Sequence, residues 1–178
     1  MLFQNGKLSV RPLEQQDSSL LVKWLSNPVV LEFYEGRDNA FDLEKVQESF
    51  YNDEPEVVRC IVEVGKIAIG YIQFYRIDAE ERTLYGYTNE KETIYGMDQF
   101  IGEVEYWNKG IGTALVQSMV EFLFEQKQVE RVVMDPQTWN ERAIRCYEKC
   151  GFNKVNLLPK HELHEGEYRD CWLIEYIK

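Results

Sequence analysis

Ile94-Tyr95-Gly96-Met97-Asp98-Gln99-Phe100-Ile101-Gly102-Glu103-Val104-Glu105-Tyr106-Trp107-Asn108-Lys109-Gly110-Ile111-Gly112-Thr113 carries a strand pattern through a glycine loop into a long helix. Residues 94 to 101 are rich in apolar and aromatic side chains and end at a glycine, which reads as a largely buried strand. From Gly110 to about Lys127 the spacing predicts a helix with Ile111, Leu115, Met119, Phe122 and Leu123 on one face. The loop Asn108-Lys109-Gly110-Ile111-Gly112-Thr113 falls where the first helical N–H groups have no internal partner. Such a place can bind an anion, because unpaired amides and the positive end of the helix dipole converge while glycines let a phosphate approach the backbone. Lys109 adds a full charge. The loop is neither a Walker loop nor the dinucleotide G-x-G-x-x-G, since position 115 is Leu. Spacing alone also allows a plainer role, in which the glycines only let a helix start close to a strand.

Working outward, the residues before this stretch divide into a strand at Lys7 to Arg11, ended by Pro12, and a helix with the apolar stripe Leu20, Leu21, Trp24 and Leu25, stopped by Asn27-Pro28. Val29 to Asp38 then reads as a connection in which Phe33 faces the core and Tyr34 can form a binding wall, before a helix capped by Asp42. Glu56 to Glu63 and Lys66 to Arg76 form a hairpin around Gly65-Lys66, with Gly70 as a bulge or bend. Asp78 to Glu92 is polar and acidic. It reads as a solvated loop, or as an acidic lip in which Glu90 and Glu92 steer cations.

After the long helix come a buried strand from Glu130 to Met134, a turn at Asp135-Pro136, and a helix opened by Asn140 and closed by Gly151. Phe152 starts another strand, and Tyr168 to Ile177 alternates as the last one. His161-Glu162-Leu163-His164 lacks the H-E-x-x-H spacing of a zinc site and reads as loop, so no metal is expected.

At 178 residues the chain suits one domain, 1–178, and no apolar run approaches the roughly 18 residues of a membrane span. Residues 1 to 7 lack the basic leader and apolar core of a secretory signal, so a cytoplasmic protein is expected. Cys60, Cys146, Cys150 and Cys171 form no C-x-x-C pair, which agrees with that compartment. Cys146 and Cys150 lie one helical turn apart and read as small, half-buried thiols. Against 20 basic residues stand 31 acidic ones, a net charge of −11, which disfavours nucleic acid and anionic lipid as partners and suits a cationic one.

The G-x-G loop that opens a helix after a central strand, followed by Asn140-x-x-Ala143-x-x-x-Tyr147-x-x-x-Gly151-Phe152, resembles the GNAT superfamily of acetyl-CoA-dependent N-acetyltransferases. Phe33-Tyr34-Glu35-Gly36-Arg37-Asp38, the stretch from Tyr95 to Glu103, Asp135-Pro136 and His161 to Gly166 are similar to the aminoglycoside 6′-N-acetyltransferases, including the acetyltransferase half of bifunctional resistance enzymes. The likeness covers essentially the whole chain.

It implies an α/β (α+β) fold: a mixed, mostly antiparallel central sheet flanked by helices and splayed between the fourth and fifth strands, with acetyl-CoA as co-substrate in the cleft. It also implies that Lys109, Gly110, Gly112 and Thr113 bind the pyrophosphate, that Gln99, Phe100 and Ile101 meet the pantetheine arm through their backbone, and that Asn140 faces the cofactor. Trp107 departs from the family, which has Gln or Arg there. For the chemistry it points to Asp98, as base or as ammonium anchor, and to Tyr147 as the acid that protonates the departing thiolate. Tyr34, Asp98, Glu103 and Asp135 are the expected contacts for a cationic aminoglycoside, handled by a monomer or homodimer. Two rivals stand beside this: a GNAT enzyme for another small amine or a protein N-terminus, and a non-catalytic acyl-CoA-binding domain.

Overall fold

The computed structural model describes residues 1–178, and its strands are hydrogen bonded in the order β1-β2-β3-β4-β5-β6-β8-β7. In chain order these are β1 (Phe3–Asn5), β2 (Leu8–Pro12), β3 (Val57–Val64), β4 (Ile67–Arg76), β5 (Ile94–Ile101), β6 (Arg131–Met134), β7 (Asn153–His164) and β8 (Glu167–Ile177). The helices are α1 (Ser18–Trp24), α2 (Pro28–Leu31), α3 (Leu43–Phe50), α4 (Ala79–Tyr85), α5 (Ile111–Gln126) and α6 (Glu141–Lys149). β1 pairs antiparallel with β2, β2 with β3, and β6 with β8, whereas β5 and β6 run parallel. This is the expected mixed, mostly antiparallel sheet with helices. No helix is long and apolar enough to cross a membrane.

The chain forms two compact units, each assembled from three segments. The first comprises Met1–Gln73, Gln99–Ile111 and His164–Glu167. Its core gathers Leu21, Trp24 and Leu25 of the first helical region, Val30, Leu31, Phe41, Val46 and Phe50 around α2 and α3, and Ile61, Tyr71 and Phe100 from the strands. Asp42 caps α3 as its sequence predicts, accepting from the Lys45 amide at 2.8 Å. Asn27-Pro28 does more than stop a helix. The Asn27 side chain accepts from the Val29 amide, and Pro28 takes the first position of α2, where its missing N–H costs nothing. At Gly70 the neighbouring strand comes unusually near. A β-carbon there would lie 2.4 Å from the Phe100 carbonyl oxygen, so glycine permits the close approach of β4 and β5.

The second unit comprises Phe74–Asp98, Gly112–Leu163 and Tyr168–Lys178. Helix α5 buries Leu115, Val116, Met119, Val120 and Leu123, each worth about 1.5–3 kcal/mol on leaving water. Ile111 and Phe122 are only partly buried. Pairing between β5 and β6 is confined to Ile94–Gly96 against Arg131–Val133, while Met134 pairs with Ile174 of β8. The pairing of these central strands therefore stops at Gly96, as the splayed sheet requires. They are the fifth and sixth strands rather than the fourth and fifth because β1, only three residues long, is too short to show an alternating pattern.

Residues 78 to 92 are not a solvated loop throughout. Asp78 accepts from the Glu81 amide and Gly86 closes α4 in the left-handed conformation. Within that segment Arg82 and Tyr85 are buried. Glu92 is no free cation-steering acid either, since it bonds Arg131 at 2.8 Å. Arg131 also pairs with Glu175, whose carboxylate accepts from Tyr87 at 2.7 Å. His161 to His164 end β7 rather than forming a loop.

Candidate active site

The loop ahead of α5 is open where its glycines stand. Asn108 and Gly110 take left-handed backbone conformations, with φ of 58° and 77°, so glycine at 110 removes a strain that a side chain would impose. A β-carbon at Gly110 would meet nothing within 4 Å, and one at Gly112 only the Cys146 Sγ, at an ordinary 3.8 Å. A β-carbon at either glycine would meet no strand, so close approach of helix and strand is not what calls for glycine here. What the residues do offer is a helix start with room at its exposed Gly110, flanked by the exposed Lys109, whose Nζ lies 5.6 Å from the Tyr106 ring centroid. The donor chemistry fits a diphosphate.

In the first unit, Phe100 is the centre of an aromatic cluster. Tyr34 tilts over it at 4.5 Å, Tyr71 stacks at 5.6 Å and Trp24 presents an edge at 6.1 Å. Phe33 packs edge-on to Trp107 at 5.7 Å but is only partly buried and outside the core cluster, whereas Tyr34 packs against that cluster, the reverse of the sequence expectation for Phe33. Trp107 spends its N–H on the Ile101 carbonyl at 2.8 Å, so the residue that departs from the family pattern ties the strand end to the loop. Glu103 accepts from Lys23 at 2.7 Å and from the Trp24 indole at 2.9 Å, both on Oε1. These bonds hold its carboxyl below the usual range against the opposing cost of burial, and its charge is already paired with Lys23.

Arg37 and Glu165 join two stretches that the sequence presents separately. The Arg37 guanidinium grips both Glu165 oxygens, at 2.5 and 2.7 Å, and its backbone amide donates to Oε1 at 3.1 Å. Arg37 holds the Glu165 carboxyl down to about 2. Nothing in one sequence reveals a pair 128 residues apart.

In the second unit, acids and phenols share one neighbourhood. Asp98 is partly exposed on β5. Tyr75 of β4 is driven far above an ordinary phenol, first by burial and then by the charges of Asp98, Asp135 and Glu81. Tyr85 rises for the same reasons, with burial first and Asp135 next, and donates to Asp135 Oδ2 at 3.3 Å. His161 bonds the same oxygen at 2.7 Å, and that bond raises its pKa. Asp135 was expected from sequence; His161, Tyr75 and Tyr85 were not. In the sequence, His161 is marked only by its place in the stretch from His161 to Gly166 that is similar to the family.

Asn140 caps α6, its Oδ1 accepting from the Ala143 amide at 3.4 Å. Tyr147, on α6, packs against Phe152 with ring centroids 6.3 Å apart. Beneath the start of α5, Cys146 Sγ and Thr113 Oγ1 lie within a hydrogen bond of 3.4 Å, and Cys150 donates to the Thr113 carbonyl at 3.6 Å.

The family model for the acetyltransferase (GNAT) domain matches residues 14–159. The aminoglycoside N(6′)-acetyltransferase type 1 of Klebsiella pneumoniae is 31% identical over 156 residues, covering 84% of this chain and 76% of that protein. Among solved structures, the AAC(6′)-Ib complex with ribostamycin and coenzyme A superposes with a TM-score of 0.77 at 27% identity, over 97% of this chain and 94% of that one. The complex of AAC(6′)-Ib with coenzyme A and kanamycin gives 0.75 at 27% identity, over 96% and 95%. Fold, glycine loop and relatives agree: the chain belongs to the GNAT acetyltransferases, in the family of the aminoglycoside 6′-N-acetyltransferases.

Proposed function

We propose that residues 1–178 are a single catalytic domain that transfers the acetyl group of acetyl-CoA to the 6′-amino group of an aminoglycoside, by direct attack in a ternary complex. The observation that carries this is the open glycine loop at Gly110 and Gly112 in a chain whose relatives act on aminoglycosides and bind coenzyme A. In this reading the amides around Lys109, Gly110, Gly112 and Thr113 take the diphosphate, and the backbone of Gln99, Phe100 and Ile101 pairs with the pantetheine arm. Asn140, already committed to its helix cap, faces the same ligand.

Bound acetyl-CoA supplies an activated acyl carbon and a thiolate leaving group. An alkyl ammonium has no lone pair, so Asp98 accepts its proton, directly or through a water, and the freed amine attacks that carbon. A backbone amide near Phe100 or Ile101 meets the negative charge that develops on the carbonyl oxygen. As the carbon–sulfur bond breaks, Tyr147 gives its proton to the sulfur. The nitrogen loses its second proton as the intermediate collapses, that proton restores the Tyr147 phenol through solvent, and Asp98 returns its own to water, so the products are an acetamide and the free thiol and no acyl-enzyme forms.

The charges of the second unit suit a polycation. A carboxylate and an ammonium 4 Å apart gain about 1 kcal/mol in water and about 4 at an effective dielectric of 20, so several partly shielded acids are needed. Asp98 and Asp135 supply this charge, Tyr34 offers an aromatic face to a sugar ring, and Glu103, paired with Lys23, contributes through its remaining acceptor capacity. Acetylation would remove one positive charge from the drug, which is how such a reaction confers resistance. The test is release of free thiol from acetyl-CoA with kanamycin, spermidine and a peptide N-terminus offered separately. Release with kanamycin is expected; release only with the polyamine or the peptide would transfer the enzyme to another amine, and binding of acetyl-CoA without turnover would make it a sensor.

A further inference from the structure

Asp135 follows the buried strand β6 and offers one oxygen to two partners: Oδ2 meets His161 Nε2 at 2.7 Å and accepts from the Tyr85 hydroxyl at 3.3 Å. Oδ1 keeps its acceptor capacity, and the Asp135 side chain is 32% exposed, so a cation from solvent can reach it. His161 arrives there through a break in β7. Residues three apart on a regular strand point to opposite faces, yet Leu158 lies in the buried cluster with Tyr85 and the His161 ring stands 6.3 Å from the same tyrosine. The alternation is reset at Lys160, which takes a left-handed backbone with φ of 48° and donates its amide to Asp170 Oδ1 at 2.8 Å. A side chain at such a φ costs free energy and persists where its surroundings demand it. Here it aims an imidazole at one carboxylate. The titratable groups that face this ring are Asp135 beyond β6, Glu81 and Tyr85 of α4, and the adjacent Glu162 of β7. The three carboxylates favour a proton on the ring, the bond to Asp135 most of all.

We propose that His161 is a positioning residue for the acetyl transfer: its bond holds Asp135 ready for an aminoglycoside ammonium, and its proton, when present, cancels the charge that the ammonium needs. Neutral His161 donates through Nε2–H, so Asp135 stays in place with its negative charge available. Protonated His161 makes the same bond but commits that charge to an ion pair, and a second cation at Asp135 then meets a positive neighbour. By linkage, an ammonium bound at Asp135 lowers the affinity of His161 for its proton by the same factor. Affinity for the drug is therefore weakest at acid pH and rises as pH passes through the raised His161 value, above 6.5. The proposal rests on the reading that the chain acetylates an aminoglycoside held in part by Asp135.

Kanamycin is the probe. Because its own amines and Asp98 titrate as well, wild type is compared with His161→Gln, which donates at every pH and never carries the charge. The wild-type KM for kanamycin should exceed that of the variant about tenfold near pH about 6 and match it near pH about 9, with the effect on KM rather than on kcat. His161→Lys, charged at both, should keep the high KM at the alkaline end. The chain has two histidines, so their imidazole signals can be followed by NMR in the wild type itself. Saturating kanamycin should lower the titration midpoint of the one whose signal His161→Gln removes. A KM ratio independent of pH, a ratio inverted at acid pH, or a His161 midpoint that ignores kanamycin would overturn the proposal. A lowered midpoint without thiol release from acetyl-CoA would instead keep the coupling of His161 to a cation at Asp135 and remove the transferase reading.

Discussion

His161 Nε2 lies 2.7 Å from Asp135 Oδ2, the same oxygen to which Tyr85 donates at 3.3 Å. The bond raises the His161 pKa above 6.5, so its contribution to stability is fully present below 6.5 and is lost as pH rises through the raised value. Asp135, Glu162 and Glu81 all face this ring and act in the same direction. His161→Gln keeps a neutral donor at every pH. The difference in Tm between wild type and this variant should be widest below pH about 6 and close on the alkaline side; a difference independent of pH would show that the ion pair contributes nothing.

Gly112→Ala separates ligand approach from folding. The added methyl meets only Cys146 Sγ at an ordinary distance, and alanine exceeds glycine in helix propensity by about 1 kcal/mol. Chemical denaturation should find the variant as stable as wild type or slightly more so. Calorimetry should find acetyl-CoA binding weakened at least tenfold. Unchanged affinity would remove Gly112 from the cofactor site.

Gly70→Ala should do the opposite. Its β-carbon would be driven to 2.4 Å from a backbone oxygen at Phe100, and a backbone cannot rotate away as a side chain can. A loss of about 1–3 kcal/mol is expected from urea unfolding, in the range of other overpacked sites. A neutral result would mean that β4 and β5 part more readily than their close approach implies.

Asp98 and Tyr147 are tested by rate rather than by stability. Asp98→Asn should lower kcat by about a hundredfold or more, and Tyr147→Phe by about tenfold or more, while acetyl-CoA affinity stays near normal. If Asp98→Asn raised only the KM for the aminoglycoside, the carboxylate would be an anchor for the ammonium and not its base.

How much of this was legible depends on whether the determining contact was local. The path from β5 through the glycine loop to α5 could be read because a strand period gives way to a helix within one stretch. Helix α4 could not, since Ala79 to Tyr85 carries no apolar stripe; its burial rests on Arg82 and Tyr85, although its cap Asp78 and its stop Gly86 were in view. β7 escaped at its end for a related reason: of its twelve residues only Leu158 and His164 are buried, so the alternation that identifies a half-buried strand is missing. At the site, Asp98 and the loop glycines were visible as motifs. The bonds from Arg37 to Glu165 and from His161 to Asp135 were not, because they are made by the fold and join positions 128 and 26 residues apart.

The most direct measurement of the central claim compares two aminoglycosides that differ only at the 6′ position, one carrying an amine and one lacking it, by thiol release from acetyl-CoA and mass spectrometry of the product. The account predicts rapid release with the first, one acetyl group on its 6′ nitrogen, and no 6′ product from the second. Equal turnover of both, or acetylation at a different nitrogen, would contradict it.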